Sequence, residues 1–277
     1  MAFRKPGIYK TPDELRRMVQ PGLLTAASLD AVAADIRPGV TTGELDAIAE
    51  KTIRDGGGEP NFMLVPGYRH TICASVNSDV VHGIPGDRVV AEGDIVSIDS
   101  GAQFEGWNGD SARTFVVGDH QDPEVAEIRR KLNQVTEQSL WHGIAALATA
   151  KHLNQVGEAI EDFIETQGSY GILEDYVGHG IGRSMHEDPP VFNYRVRGSG
   201  PAVRPGLVVA IEPMVTAGGI DTFTQDDDWT VTTVDSSDAS HWEHSVAVHA
   251  GGIWVLTAVD GGAAGLAPLG VRPVPLL

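Results

Sequence analysis

Four carboxylates in this chain stand inside or at the end of apolar, strand-like runs. Any fold it adopts must turn each of them to solvent or gather them around positive charge. Asp99 closes Gly-Asp-Ile-Val-Ser-Ile-Asp (93–99), and Asp110 lies in Gly-Asp-Ser-Ala-Arg-Thr-Phe (109–115). Glu212 ends Leu-Val-Val-Ala-Ile-Glu (207–212), and Glu243 interrupts Trp-Glu-His-Ser-Val-Ala-Val (242–248). Aspartate is poorly suited to strands, and a carboxylate is costly to bury unless it is paired or bound to metal. Segments 94–103 and 111–117 are joined by a short polar stretch and are expected to form an antiparallel hairpin. If its turn centres near Phe104 and Glu105, Asp99 and Asp110 lie directly opposite, with Cβ atoms about 5 Å apart. Two carboxylates at that spacing resist double ionisation unless a cation sits between them. The alternative reading is a solvated pair on an open sheet face, with Glu212 and Glu243 as strand-end residues turned to water.

Histidines add to the pattern. Tyr-Val-Gly-His-Gly-Ile-Gly-Arg-Ser-Met-His-Glu-Asp-Pro-Pro (176–190) places His179 between glycines and His186 later in the same loop. The stretch is too rich in glycine for a helix, and glycines let backbone approach a ligand closely. A lone histidine is usually structural, but two in such a loop point towards a site. Two aspartates, two glutamates and one histidine form a donor set suited to divalent ions, as in two-metal hydrolases. The single cysteine, Cys73, excludes an intrachain disulfide and a cysteine-rich zinc cluster, and beside Ile72 and Ala74 it reads as a small buried hydrophobe. A net charge of −18 argues against nucleic acid or anionic lipid as partner. No apolar run is long enough for a membrane span, and the start Met-Ala-Phe-Arg-Lys-Pro-Gly lacks the apolar stretch of a secretory signal. The expectation is a soluble cytoplasmic protein.

With 277 residues, 42% of them hydrophobic, the chain is expected to form one α/β domain of the α+β kind, with 1–10 and 261–277 as extensions, the latter partly ordered. A first helix is expected after Thr11-Pro12, through Leu15, Met18, Ala26 and Leu29, bent at Pro21-Gly22. Thr41-Thr42-Gly43-Glu44 announces a second, ending at Gly56-Gly57-Gly58. A third starts near Pro123, and a fourth carries Val156, Ile160 and Ile164 and ends at Gly168. Further strand-like runs cover 207–215, 229–234, 242–248 and 254–259. Leu45, Ile48, Ile53 and Gly57 recur as Val156, Ala159, Ile164 and Gly168 at a constant offset of 111, and each copy is followed by His-Gly-Ile (82–84 and 179–181). This predicts two related halves.

Seven segments together carry a resemblance that spans about Lys10 to Ala258. They are Cys-Ala-Ser-Val-Asn (73–77), Val-His-Gly-Ile-Pro (81–85), the two aspartate segments above, Gly-His-Gly-Ile-Gly-Arg (178–183), Ile-Glu-Pro-Met (211–214) and Trp-Glu-His (242–244). The chain closely resembles the type I methionine aminopeptidases. The resemblance implies the pita-bread fold: two halves related by a pseudo-twofold axis, with antiparallel sheet covered by helices. It implies two divalent ions (Co, Mn, Fe or Zn). Asp99, Asp110 and Glu243 would hold one, and Asp110, His179, Glu212 and Glu243 the other, with Asp110 and Glu243 bridging. Glu212 would also be general base for the attacking water. His186 would stabilise the oxyanion, and His82 would contact the substrate amide and help the leaving amine. Phe62, Tyr68, Cys73, His82, Met185 and Trp229 would line the methionine pocket. His244 could support Glu243 from outside. The implied reaction is removal of the initiator methionine from nascent or short peptides whose second residue is small and uncharged. The implied enzyme is a monomer acting on nascent N-termini, with the ribosome as a possible partner.

Three departures are visible. The family usually carries a small or sulfur-containing residue at Phe62 and an aromatic one at Val65, which implies a reshaped pocket of unchanged specificity. Ala239-Ser240-His241 stands where Ser-Ala-Gln is common. The short interval between Glu212 and Glu243 has no room for the helical insertion of type II relatives, and one cysteine excludes the zinc-binding extension of eukaryotic type I enzymes. The chain therefore resembles the compact bacterial form. The alternatives are a prolidase-like or Xaa-Pro peptidase of the same fold, and a non-catalytic binding protein of that fold.

Overall fold

The computed structural model describes residues 7–276, and helices start at Pro12, Thr42 and Pro123, where the sequence signals them. The Thr41 hydroxyl accepts from the Glu44 amide at 3.1 Å, and the Glu44 carboxylate accepts from the Thr41 amide at 2.8 Å. This reciprocal cap satisfies two amides that have no partner within the helix. Thr11 and Glu14 repeat it at the first helix. In chain order the helices are α1 (Pro12–Arg17), α2 (Val19–Asp35), α3 (Thr42–Asp55), α4 (Pro123–Leu147), α5 (Gln155–Gln167) and a short α6 (Ala263–Leu266). The single bent helix expected at the start is two helices. The break falls at Met18, and Pro21 sits in the first turn of α2, where a missing N–H costs nothing. Gly22 is needed for contact instead: a Cβ there would lie 2.5 Å from the Leu256 carbonyl oxygen. In a second contact, a Cβ on Gly109 would lie 2.8 Å from the Gly22 nitrogen.

The strands are β1 (Glu59–Pro60), β2 (Ile72–Val76), β3 (Asp79–Val81), β4 (Ile95–Phe104), β5 (Trp107–Val116), β6 (Gly171–Ile172), β7 (Gly178–Gly180) and β8 (Glu187–Val191), then β9 (Val208–Ile211), β10 (Met214–Thr216), β11 (Thr222–Thr224), β12 (Val231–Thr233), β13 (Ala239–His241), β14 (His244–His249) and β15 (Gly252–Val255). Every strand pairing is antiparallel. One sheet runs β1-β4-β2 with β5 on β4, and another runs β15-β14-β9-β7-β8. Two three-stranded sheets, β13-β10-β6 and β11-β12-β3, join them.

The β4–β5 hairpin forms, in a different register from the one expected. Glu105 and Gly106 both have positive φ, 51° and 76°, so the turn is a two-residue loop closed by Phe104 and Trp107. Asp99 therefore faces Ala112, and Asp110 faces Gly101. The two aspartates are diagonal neighbours on one face rather than directly opposed. The run 207–215 also divides, into β9 and β10, at Glu212-Pro213, because proline cannot donate to a ladder. Trp242 and Glu243 fall in the gap between β13 and β14.

Two cores lie under the helices. Leu45 and Ala49 of α3 pack with Ile72, Val76, Val96 and Ile98. Val156, Ile160 and Ile164 of α5 pack with Leu132 and Ile144 of α4 and with Val209, Ile211 and Val246. The recurrent helix thus covers a core in each half. The tail is built into the second core through fully buried Leu266, and the Val274 amide donates to the Ile253 carbonyl at 3.0 Å. At the other end, Tyr9 bridges to Leu207. Residues 1–6 and 277 of the expected extensions lie outside the described residues. Among the described residues, no helix is long and apolar enough to cross a membrane.

Candidate active site

The breaks in the strands set the acidic side chains. Asp99 and Asp110 project from one face of the β4–β5 hairpin, Glu212 occupies the β9–β10 gap, Glu243 the β13–β14 gap, and His179 the middle of β7. Their backbones are tied together. The Glu243 amide donates to the Ala112 carbonyl at 2.9 Å, and the Ser111 hydroxyl donates to the Glu243 carbonyl at 2.6 Å. The Ser245 hydroxyl donates to the Asp110 carbonyl at 2.8 Å and accepts from its amide at 3.2 Å. The Asn193 amide group donates to the Glu212 carbonyl at 3.1 Å.

The side chains converge. One oxygen each from Asp99, Asp110 and Glu243 lie within 4.8 Å of one another, as do donor atoms of His179, Glu212 and Glu243, and of Asp110, His179 and His186. His179 Nε2 is 3.4 Å from Glu212 Oε1 and 3.9 Å from Asp110 Oδ2. His179 Nδ1 lies 3.0 Å from the Gly180 carbonyl oxygen, which can only accept. The ring proton therefore sits on Nδ1, and the Nε2 lone pair faces the acids. His186 stands edge-on to His179, with ring centroids 4.4 Å apart.

Such a cluster is unstable as a set of bare anions. Burial pushes Asp99 up to about 7. Burial, and then the neighbouring carboxylates, pushes Asp110, Glu212 and Glu243 well above the usual carboxylate range. Burial, and then His186, pulls His179 down to about 4, and His82 is pulled down for the same two reasons. Asp99 Oδ1, Asp110 Oδ1 and Glu243 Oε1 are buried without a hydrogen-bond partner. Unpartnered buried carboxylate oxygens beside one imidazole lone pair fit divalent cations.

The same cavity, of about 160 Å³, continues from these groups into an apolar end. Phe62, Tyr68, Cys73, His82, Met185 and Trp229 all line it, together with Val65 and Val81. Tyr68 meets Phe62 and Trp229 edge-on, at centroid distances of 6.3 and 5.0 Å. Its hydroxyl donates to the Ile72 carbonyl at 2.7 Å and lies 3.2 Å from Cys73 Sγ. Burial pushes the Cys73 thiol well up, so Cys73 is a neutral piece of wall. His82, at a left-handed φ of 59°, stands between the apolar end and the acids, with its ring edge-on to Tyr176 and Trp229.

All twelve residues expected at the site therefore line one cavity. His244 does not reach the Glu243 carboxylate. Its Nδ1 lies 2.8 Å from Thr257 Oγ1 and 3.3 Å from Ser111 Oγ, and Ser111 in turn holds the Glu243 backbone. Sequence reasoning missed Asn193 and His241. His241 is buried, with Nε2 3.7 Å from Glu212 Oε2. Its only advance signal was its place in Ala239-Ser240-His241.

A model of metallopeptidase family M24 matches residues 16–250. Methionine aminopeptidase 1 of Mycobacterium tuberculosis is 46% identical over 254 residues, covering 90% of this chain and 94% of that protein. Methionine aminopeptidase 1 of Bacillus subtilis is 42% identical over 252 residues, covering 91% and 99%. The crystal structure of methionine aminopeptidase from Thermotoga maritima superposes with a TM-score of 0.85 at 37% identity, over 90% of this chain and 98% of that one. The prolidase from Pyrococcus furiosus superposes at 0.70 with 21% identity, covering 66% of its chain, a likeness of fold alone.

Proposed function

The chain belongs to metallopeptidase family M24 and has the pita-bread fold, and on that premise we propose that it is a methionyl aminopeptidase, a metal-dependent hydrolase that removes the N-terminal methionine of peptides. The observation that carries this reading is the junction in one cavity of a His/carboxylate cluster with an apolar pocket of aromatic and sulfur side chains. A thioether is at home against such a wall. Identity of 42–46% over nearly the whole length of methionine aminopeptidases favours this reading over a prolidase-like one.

Two ions would be held, one by Asp99, Asp110 and Glu243, the other by Asp110, His179, Glu212 and Glu243, and Co, Mn, Fe and Zn all suit the donors. When bound, they supply a water of lowered pKa and polarise the scissile carbonyl. Glu212 takes the proton of the attacking water and returns it to the departing amine. His186, at the exposed side of the cluster, donates a hydrogen bond to the carbonyl oxygen as it gains charge. His82, between the pocket and the acids, contacts the substrate amide and helps the amine leave. Phe62, Tyr68, Cys73, Met185 and Trp229 seat the methionine side chain, which selects methionine, and anchoring of the substrate's free amine at the ion held by Asp99, Asp110 and Glu243 would restrict cutting to the first residue. The substrates are nascent or short peptides with a small, uncharged second residue, and we take the enzyme to act in the cytoplasm as a monomer, near the ribosome.

The test is release of free methionine from a Met-Ala-Ser peptide by metal-stripped protein, with and without added Co(II) or Mn(II), beside a Lys-Pro-containing control. Metal-dependent release with an inert control is expected. Cutting of the control would favour the prolidase-like reading. No release from folded protein under any metal would make the chain a binding protein of this fold.

A further inference from the structure

His241 has no part in the scheme above, yet the structure spends a buried polar group on it. The residue is 1% exposed, and its Nε2 has no hydrogen-bond partner. The backbone leaves little freedom in where the ring points. His241 pairs with Met214 across β13–β10. Its amide donates to Thr114 Oγ1 at 3.0 Å and Ser97 Oγ at 3.2 Å, and its carbonyl accepts from Thr114 Oγ1 at 2.8 Å. Met214 lies two residues beyond Glu212, so the same strand pair that fixes His241 brings it to Glu212.

Glu212 thus stands between two imidazoles, Oε1 3.4 Å from His179 Nε2 and Oε2 3.7 Å from His241 Nε2. The two rings differ in kind. His179 turns a lone pair towards the carboxylate, because its Nδ1 proton is given to Gly180. With Glu212 ionised, as it is when it holds an ion, a second lone pair facing Oε2 would leave two buried acceptors opposed with nothing between them. An N–H at that position instead satisfies both atoms. The terminal torsion of a glutamate is soft, so rotation of the carboxylate can close the half-ångström or more between 3.7 Å and hydrogen-bond distance.

We propose that His241 is a positioning residue for Glu212: its Nε2–H donates to Oε2 and fixes the rotation of the carboxylate, so that Oε1 alone is turned to His179 and the ion. It touches neither substrate nor ion. The inference rests on the reading of Glu212 given above only where turnover is measured.

The test compares wild type with His241→Phe, which keeps a ring without a donor, and His241→Gln, which restores an N–H. Each is checked for folding by circular dichroism and thermal melting. Calorimetry of metal-stripped protein with Mn(II) is expected to show roughly tenfold weaker binding in the phenylalanine variant. Its kcat for Met-Ala-Ser is expected to fall roughly tenfold or more at little-changed KM. The glutamine variant is expected to recover most of both. A folded phenylalanine variant equal to wild type, or a glutamine variant no better than phenylalanine, would overturn the proposal. Should the phenylalanine variant not fold, NMR of the ring nitrogens in wild-type protein loaded with diamagnetic Zn(II) decides, with the His241 signals identified by their loss in His241→Gln. A proton on Nε2 supports the proposal, and a proton on Nδ1 removes it. If no variant releases methionine, the function reading fails, while the Mn(II) and NMR readouts still judge this one.

Discussion

Glu212 Oε1 lies 3.4 Å from His179 Nε2, and this contact joins an acid held above its usual range to a base held below it. Both shifts come first from burial, and both vanish on unfolding, so stability of the metal-free protein depends on pH. The buried histidines bind fewer protons folded than unfolded, but this matters only below about pH 6.5, where an unfolded histidine is charged. Above that, the raised carboxylates act alone: they hold protons in the folded state that the unfolded state has released. Their effect is absent below the ordinary carboxylate pKa of about 4. It lowers stability progressively as pH rises through the value of about 7 for Asp99 and beyond. We expect the melting temperature of stripped protein to fall by several degrees from about pH 6.5 to 8, and Mn(II) to remove the slope. A flat profile for stripped protein would show that these carboxylates ionise freely.

Glu212→Gln is expected to fold and to lose turnover by roughly 10²–10⁴-fold, the usual yield of a placed general base. Methionine release within tenfold of wild type would take Glu212 out of that role.

Asp99 belongs to the group formed with Asp110 and Glu243 and not to the one formed with His179 and Glu212. Asp99→Asn is therefore expected to weaken one of two binding events far more than the other in a calorimetric titration with Mn(II) or Co(II). Equal weakening of both would reject the division of donors proposed here.

Trp229 closes the apolar end of the cavity, with its ring 5.0 Å from that of Tyr68. Trp229→Ala is expected to lower kcat/KM for Met-Ala-Ser roughly ten- to hundredfold, chiefly through KM, since the side chain meets the ground state and the transition state alike. A loss confined to kcat would place Trp229 nearer the reacting bond than the structure does.

Arg129 on α4 donates from Nε and Nη2 to the two oxygens of Asp238 at 2.8 and 2.9 Å, and from Nη1 to the Gly93 carbonyl at 2.7 Å. Asp238 immediately precedes β13, so the pair anchors the segment leading to Glu243. Arg129→Leu leaves a part-buried acid unpaired and is expected to cost about 1–3 kcal/mol, with Asp238→Leu added to it recovering part. Denaturant melts of the single and double variants check this. A double variant no more stable than the single one would show that the cost lies elsewhere.

What could be read in advance was what is local. The start of α3 is written in Thr41 and Glu44, and its buried face in Leu45, Ala49 and Ile53, all within one short stretch. The acids announced themselves because a charge in an apolar run is expensive wherever the run goes. The register of Asp99 and Asp110 was missed by a single turn residue, because Glu105 adopts a positive φ that glutamate seldom takes. Strands as short as β6, β7 and β13 have no periodicity to detect. His241 was invisible as a neighbour of Glu212 because only the pairing of β13 with β10 brings them together. The residues that bear charge were legible, whereas those that hold them in place depend on contacts made across the fold.

The contact between Gly22 and Gly109 limits which sequences can inherit this site. Gly109 immediately precedes Asp110, and a single methyl group at either glycine would collide with backbone. Backbone cannot step aside as a flexible side chain can, so a methyl on Gly109 would wedge α2 from β5 and carry Asp110 with it, while one on Gly22 would push α2 from Leu256. Drift, or deliberate redesign, can therefore change much of the outer surface of α2 freely, while two positions that bear no side chain and touch no substrate are closed to every other amino acid.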